Sequence, residues 1–249
     1  MRPAGRTLSS LVAAGILSWS SDAAAIRPFV TDDARVVGEG HVQIETWWRR
    51  DREGLEHWLL PAVGPNDWLE LTIGGAHGAS SADPRARYTL AGPLLQSKLL
   101  LRESKPNEPP GVALAAGSIL PFGFGDLAAP GWGAFGYLAV TQSFVDEDDL
   151  VFHANLGLAA VRADGLSPLR ATWGVGTQVE TFGGVHLIGE LFSGDPYTAG
   201  SGGAYQAGFR FIFNDHLQLD GTWGGGLWGD TVLPLWFSSG VRIVSHKLF

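Results

Sequence analysis

Apolar residues recur at every second position through most of the chain, the spacing that places successive side chains on opposite faces of a β-strand. In the clearest segment Tyr205, Phe209 and Phe213 share one face, and Gln206 and Arg210 share the other. Segments of this kind predict twelve strands, at 41–50, 55–63, 68–76, 94–103, 111–120, 134–145, 150–161, 170–181, 185–193, 204–213, 216–223 and 235–249.

Two of these segments depart from the pattern. Pro61 removes a ladder donor within 55–63, and a proline inside a strand favours an edge or no strand at all. The alternation within 134–145 is blurred. Ten strands would remain if both segments failed to form.

The connections between the predicted strands alternate in length. Short turns include Gly183-Gly184 and Asn214-Asp215, whereas longer loops include 77–93, 121–133 and 194–203. This asymmetry is typical of outer-membrane barrels, which have short periplasmic turns and longer outer loops. The period of two alone leaves a soluble barrel open, because that fold would point the same apolar face inward.

Aromatic residues at the strand ends favour the membrane alternative, since amphipathic rings collect where hydrocarbon meets water. The predicted outer girdle comprises Trp48, Trp173, Trp223 and Phe237, and the inner one Phe182, Phe213 and Phe249. The C-terminal aromatic residue resembles the ending of outer-membrane proteins. These features predict an all-β fold, a transmembrane antiparallel up-and-down β-barrel of about twelve strands.

The N-terminus predicts export. Arg2 and Arg6 precede an apolar stretch from Leu8 to Trp19, and Ala23–Ala25 supply the small residues of a cleavage site. We expect residues 1–25 to be a signal peptide and 26–249 a single barrel domain, with 26–40 as an N-terminal periplasmic segment. The expected location is the bacterial outer membrane.

Composition narrows the possible functions. The 249 residues include no cysteine, which excludes disulfides, thiolate zinc sites and cysteine nucleophiles. The formal net charge of −8 argues against nucleic acid as a partner. The expected partners are outer-membrane lipid, a small-molecule solute and the barrel-assembly machinery.

Three stretches carry a family resemblance. They are Arg27-Pro28-Phe29-Val30-Thr31-Asp32-Asp33-Ala34 with Gly40 and Glu45 behind it, Gly64-Pro65-Asn66-Asp67-Trp68-Leu69-Glu70-Leu71, and Leu120-Pro121-Phe122-Gly123. Together they resemble the meta-pathway of phenol degradation family of outer-membrane transporters. The resemblance implies an outer-membrane barrel that handles small molecules, with aromatic molecules among the candidates, and it implies no binding residues.

The inward face of the predicted barrel carries charges of alternating sign. Glu190, Arg210, Asp220, Arg242 and Glu45 fall at similar heights on five neighbouring strands. Opposite charges across strands stabilise a sheet, so one interpretation is a structural ladder. The other is a constriction that screens solutes by charge, as charged rings do in channels.

Chemistry of other kinds has little support. The seven histidines lack metal-ligand spacing, and the sequence predicts no catalytic, cofactor or metal site. A lipid hydrolase remains an alternative, through His57 and His77 with Ser80 or Ser81 near the outer end. A barrel with a sealed lumen and ligand-binding outer loops is the third possibility beside the favoured channel.

Overall fold

The computed structural model describes residues 30–80, 88–145, 149–162, 169–193, 202–230 and 232–249. Its strands are β1 (Val42–Arg50), β2 (Gly54–Asn66), β3 (Leu69–Ser80), β4 (Thr89–Leu90), β5 (Leu94–Arg102), β6 (Gly111–Ile119), β7 (Gly133–Ser143), β8 (Leu150–Val161), β9 (Leu169–Phe182), β10 (Val185–Ser193), β11 (Ala204–Asn214), β12 (Leu217–Gly226) and β13 (Trp236–Val244). A 3-10 turn spans Gly125–Leu127.

Twelve long strands form a closed antiparallel barrel. Each pairs with its neighbours in the chain, β3 pairs with β5, and β1 closes the ring against β13 from Gln43 to Arg50. The two-residue β4 adds to β3 at the end with the longer loops, which we call the outer end. The predicted all-β barrel of about twelve strands is confirmed. No helix in the described part of the chain is long and apolar enough to cross a membrane.

Both doubtful segments form strands. In β2, Leu59 is opposite Gly75 and Ala62 is opposite Thr72, so the pairing with β3 is interrupted around Pro61, where the ladder lacks a donor. The last strand ends at Val244 and not at Phe249, although Leu248 still donates its N–H to the Gly40 carbonyl.

The outward face of the barrel is apolar and the inward face is polar. Large exposed side chains on the outward face include Ile44, Leu59, Ile73, Leu95, Leu138, Leu156, Val175, Leu187, Phe209, Leu219 and Ile243. Buried polar side chains such as Gln43, Thr141, Gln178 and Thr222 point inward. This distribution is the inverse of a soluble barrel and matches a wall that faces lipid.

Residues Val30–Val37, which we call the lumen segment, lie inside the barrel without joining a strand. Ala34, Val36 and Val37 are almost fully buried. Within the expected segment 26–40, residues 31–37 therefore lie inside the barrel, whereas Glu39 is exposed. The expected signal peptide and its cleavage site lie outside the described residues.

Candidate functional site

The inner wall holds the lumen segment by accepting hydrogen bonds from its backbone. Glu190 accepts from the N–H groups of Val30 and Thr31, at 2.7 and 2.8 Å. Thr141 Oγ1 accepts from Ala34 N at 2.8 Å. An extended segment that pairs with no strand needs such side-chain acceptors, because buried N–H groups are costly when unpaired. The polar wall thus satisfies the segment that it encloses.

Lys98 of β5 forms the electrostatic centre of this contact. Its Nζ lies 2.7 Å from Asp32 Oδ1 and 3.5 Å from Asp33 Oδ1, and it donates to the Arg35 carbonyl at 3.0 Å. Only 2% of Lys98 is exposed. Tyr137 donates its hydroxyl to Asp32 Oδ2 at 2.6 Å. A buried ammonium therefore binds two adjacent carboxylates of the segment.

Asp33 is the titratable group of the lumen segment that burial affects most clearly. Burial raises the pKa of Asp33 to about 7, against the opposing effects of Lys98 and Arg35 and with a smaller upward contribution from Asp32. Its Oδ1 also accepts from Arg35 N at 3.0 Å. Asp33 therefore changes charge close to neutral pH while the segment is in place.

The five charged residues predicted on the inner face are all buried. Glu45 is directly opposite Arg242, and Arg210 is directly opposite Asp220. These two pairs are offset, because Arg242 is opposite Gln218 on β12.

Glu190 stands apart from that group. It is opposite Gln206, four residues along β11 from Arg210, and it binds the lumen segment. The structure buries these charges on the inward face, and the sequence gave no sign that a segment would cover them. Arg242 is only 1% exposed, and a role in screening solutes stays a prediction.

The predicted girdle residues point away from the lumen at strand ends. Trp48, Trp223 and Phe237 are exposed towards the outer end, and Trp223 is directly opposite Phe237. Trp173 is half-buried near the same end of β9. At the opposite end Phe182, Phe213 and Phe249 are exposed. Their contact with the membrane interface stays a prediction.

The residues of the hydrolase alternative do not come together as one site. His57 and His77 face outward, with His57 Nδ1 3.0 Å from His77 Nε2. Ser80 lines a cavity on the inward side of the same wall, and Ser81 lies outside the described residues.

His57 instead bonds to Thr46, and His77 reaches Thr46 only through His57. His57 Nε2 lies 2.7 Å from Thr46 Oγ1, which in turn donates to the Trp58 carbonyl at 2.8 Å. This chain of bonds satisfies polar groups on an otherwise apolar face, where unpaired ones would be costly.

A cavity of about 470 Å³ opens at the outer end, and we call it the outer vestibule. Its apolar lining includes Trp58, Leu94, Ile119 and Leu233, and its charged lining comprises Arg49, Asp51, Glu53, Glu56 and Asp126. These residues come from the β1–β2 hairpin, from β5 and β6, and from two outer loops. Because their sequence positions are so widely separated, no local motif could reveal the vestibule.

Aromatic side chains support the vestibule wall and connect it to the lumen segment. Trp58 stacks on Trp47 with ring centroids 5.4 Å apart and planes within 5°. Leu94 and Ile119 belong to a cluster against which Tyr137 packs. Tyr137 is also the residue that donates to Asp32. The vestibule and the segment therefore share a supporting side chain.

Metal binding finds no support here. Across the described ranges, no group of three or more histidine, aspartate or glutamate side chains could hold a metal ion.

A closed twelve-stranded barrel with an apolar outward wall and a polar interior defines a transmembrane β-barrel of the outer-membrane channel type. Residues 25–232 match the family described as "Putative MetA-pathway of phenol degradation". The chain belongs to this family. Among curated proteins no sequence matches significantly.

Solved structures show the same fold. The COG4313 outer membrane channel from Pseudomonas putida F1 superposes with a TM-score of 0.60 at 10% identity, over 86% of this chain and 98% of that one. The KdgM porin in complex with disordered oligogalacturonate gives 0.58 at 10% identity, over 82% and 99%. The NanC porin gives 0.52 at 10% identity, over 83% and 100%. The fold shared with these channels supports an outer-membrane location.

Proposed function

We propose that this protein is an outer-membrane channel for small solutes and that the lumen segment controls passage through it. The observation that carries the proposal is the way in which the lumen is occupied. A backbone segment fills it, held by side-chain hydrogen bonds and by the Lys98 ion pairs. No covalent bond or strand pairing would have to break for that segment to leave.

The inner wall behind the lumen segment carries charged side chains that water would hydrate. Departure of the segment would uncover Glu70, Lys98 and Glu190, which are buried by the filled lumen. Charged groups regain hydration when water replaces a protein partner, so a vacated lumen lined by them would fill with water. A permanently sealed small barrel would need only interlocking side chains in its interior. The polar wall therefore favours a channel over a sealed barrel.

The outer vestibule supports small solutes with an aromatic or apolar body. Its volume of about 470 Å³ lies within the range of small-molecule sites, roughly 300–1,000 Å³. Trp58 offers an aromatic lining, and Leu94 and Ile119 extend it. The family to which the chain belongs carries phenol degradation in its description, which agrees with an aromatic solute.

The lipid hydrolase receives less support. A nucleophile must lie within hydrogen-bond reach of its base, yet Ser80 and the His57–His77 pair occupy opposite sides of the wall. The hydroxyl that does reach His57 belongs to Thr46, and it also donates to a backbone carbonyl. The geometry favours a structural role for this polar group.

The test is conductance of the purified protein in planar bilayers, with phenol added as a blocker. We expect discrete openings that alternate with a closed level, because the segment obstructs the lumen while it is docked. Phenol that enters the vestibule should reduce the open current. A correctly inserted barrel that never conducts under any voltage or pH would contradict the channel and leave a binding barrel. Hydrolysis of labelled phospholipid by the same preparation would support the enzyme instead.

A further inference from the structure

The outer vestibule combines an aromatic ring with a carboxylate at the same place. The indole N–H of Trp58 donates to Glu56 Oε2 at 3.1 Å, and both residues line the cavity. The stacking of Trp58 on Trp47 fixes the plane of the ring. Organic ammonium groups are recognised by this pairing, because the ring face and the carboxylate both attract a positive charge.

The charges around the vestibule are unequal. The described residues that line it include four carboxylates and one guanidinium, that of Arg49. One of the four, Glu53, pairs with Arg52 at 3.5 Å. The Arg49 guanidinium lies 3.7 Å from Asp51 Oδ2 and 4.7 Å from the ring centre of Trp236. Arg49 therefore contacts Asp51 and Trp236, although its Nε is buried without a hydrogen-bond partner. The formal charge of the lining remains negative.

Asp126 adds a second carboxylate from a different part of the chain. It belongs to the 3-10 turn Gly125–Leu127 in the loop between β6 and β7, whereas Glu56 belongs to β2. A ligand in the cavity would therefore meet negative charge from two elements. Glu56 is half-buried whereas Asp126 is exposed, so the attraction of Glu56 for a cation is screened less by water than that of Asp126.

We propose that the outer vestibule is a binding site for small organic cations with an aromatic or apolar body, and that it discriminates against anions of the same shape. The solute class of the proposed channel is thereby named. Binding in the vestibule stands by itself, whereas passage of the bound solute across the membrane rests on the proposed channel function. The ammonium lies against Trp58 within reach of Glu56, and the apolar body packs on Leu94 and Ile119. An anionic head in the same place would face the excess of carboxylates.

The experiment compares three ligands that share a phenylethyl or phenylmethyl body and differ in the head: 2-phenylethylammonium, 2-phenylethanol and phenylacetate. Binding to the purified full-length barrel in detergent is measured by calorimetry at neutral pH. The ammonium should bind about tenfold more tightly than phenylacetate, with the alcohol between them. Equal or tighter binding of phenylacetate would overturn the proposal.

Variants assign that preference to the named side chains. Glu56→Gln and Asp126→Asn, which keep shape and remove charge, should each weaken ammonium binding by roughly threefold and leave 2-phenylethanol unchanged. Trp58→Leu should weaken all three ligands. Glu39→Gln is the matched control, because Glu39 is an exposed carboxylate paired with Lys247 at the opposite end, and it should change nothing.

Two further measurements, gel mobility and conductance, distinguish an effect on binding from an effect on folding or on transport. Each variant must show the same heat-dependent gel mobility as the parent, which reports a closed barrel. If the folded Glu56→Gln/Asp126→Asn double variant keeps the parental ratio of affinities for 2-phenylethylammonium and phenylacetate, the site is refuted. A barrel that binds the ammonium selectively but never conducts would refute the channel and keep the site. One that conducts without binding any of the three would refute the site and keep the channel.

Discussion

The ammonium of Lys98 on β5 lies 2.7 Å from the carboxylate of Asp32, so the barrel wall and the lumen segment share a buried ion pair. The same ammonium lies 3.5 Å from Asp33. Removing one partner of a buried pair leaves the other charge without compensation, which costs about 3–5 kcal/mol. The stability of the docked segment therefore depends strongly on Lys98.

Substituting Lys98 by Met, which keeps the length of the side chain and removes its charge, should weaken docking of the lumen segment by about 3–5 kcal/mol. The open probability in planar bilayers should rise, and the segment should become accessible to protease from outside the barrel. Unchanged gating and protection in an inserted Lys98→Met barrel would rule out this anchoring role.

Lys247→Met is the control for charge removal. Lys247 Nζ lies 3.1 Å from Glu39, and both side chains are about half exposed. Exposed ion pairs contribute about 0–1 kcal/mol, so this variant should gate like the parent.

Docking of the segment should depend on pH through Asp33. Burial raises the pKa of the docked carboxyl from 3.8 to about 7, whereas the released carboxyl regains its ordinary value. The protonated, docked form is therefore favoured fully below about pH 4, and this contribution is lost as the pH rises to 7. Lowering the pH from 7.5 to 5 should reduce the open probability, by up to about tenfold per unit for one group.

Asp33→Asn tests whether Asp33 causes this pH dependence, because the amide resembles the protonated carboxyl and does not titrate. In this variant the open probability should stay low and lose most of its dependence on pH between 5 and 7.5. An identical pH profile in the parent and in Asp33→Asn would show that another group is responsible.

The sequence predicted the barrel because each strand alternates apolar and polar side chains, a pattern that depends only on neighbouring residues. The alternation in 204–213 follows from side chains that meet lipid on one face and a polar interior on the other. Even 55–63 forms a strand despite Pro61, since pairing on both sides of the interruption compensates for one missing donor. Such regularities are visible within ten residues of chain.

The candidate site could not be predicted in the same way. Asp32 and Lys98 are 66 positions apart, and only the closed barrel brings them together. No pattern in the sequence around Val30–Val37 indicates that the N–H groups of this segment bond to acceptors on β7 and β10. The alternation rule assigns inward positions, such as Glu190, but it does not say what occupies the space they surround.

Gly40 should be intolerant of a side chain. Its φ is +77°, which costs other residues about 1–2 kcal/mol, and a methyl group there would lie 2.3 Å from the Phe249 carbonyl oxygen. Gly40→Ala should therefore lower the unfolding midpoint measured by heat-dependent gel mobility. Gly189→Ala is the matched control, since no atom lies within 4 Å of the added methyl group. Equal midpoints for the two variants would contradict this packing.

Locking the lumen segment to the barrel wall tests whether its movement opens and closes the channel. Ala34 packs in one cluster with Ala113 of β6 and Ala139 of β7, and the chain has no other cysteine to interfere. Cysteine pairs at 34 and 113, and at 34 and 139, place two thiols at this contact, where a disulfide requires α-carbons about 4.4–6.8 Å apart.

The decisive measurement is the bilayer conductance of whichever pair cross-links, before and after reduction. We expect a closed barrel while the disulfide is intact and parental openings once it is reduced, with single-cysteine variants unaffected by either treatment. A fully cross-linked barrel that conducts as freely as the reduced one would show that the lumen segment does not gate the channel.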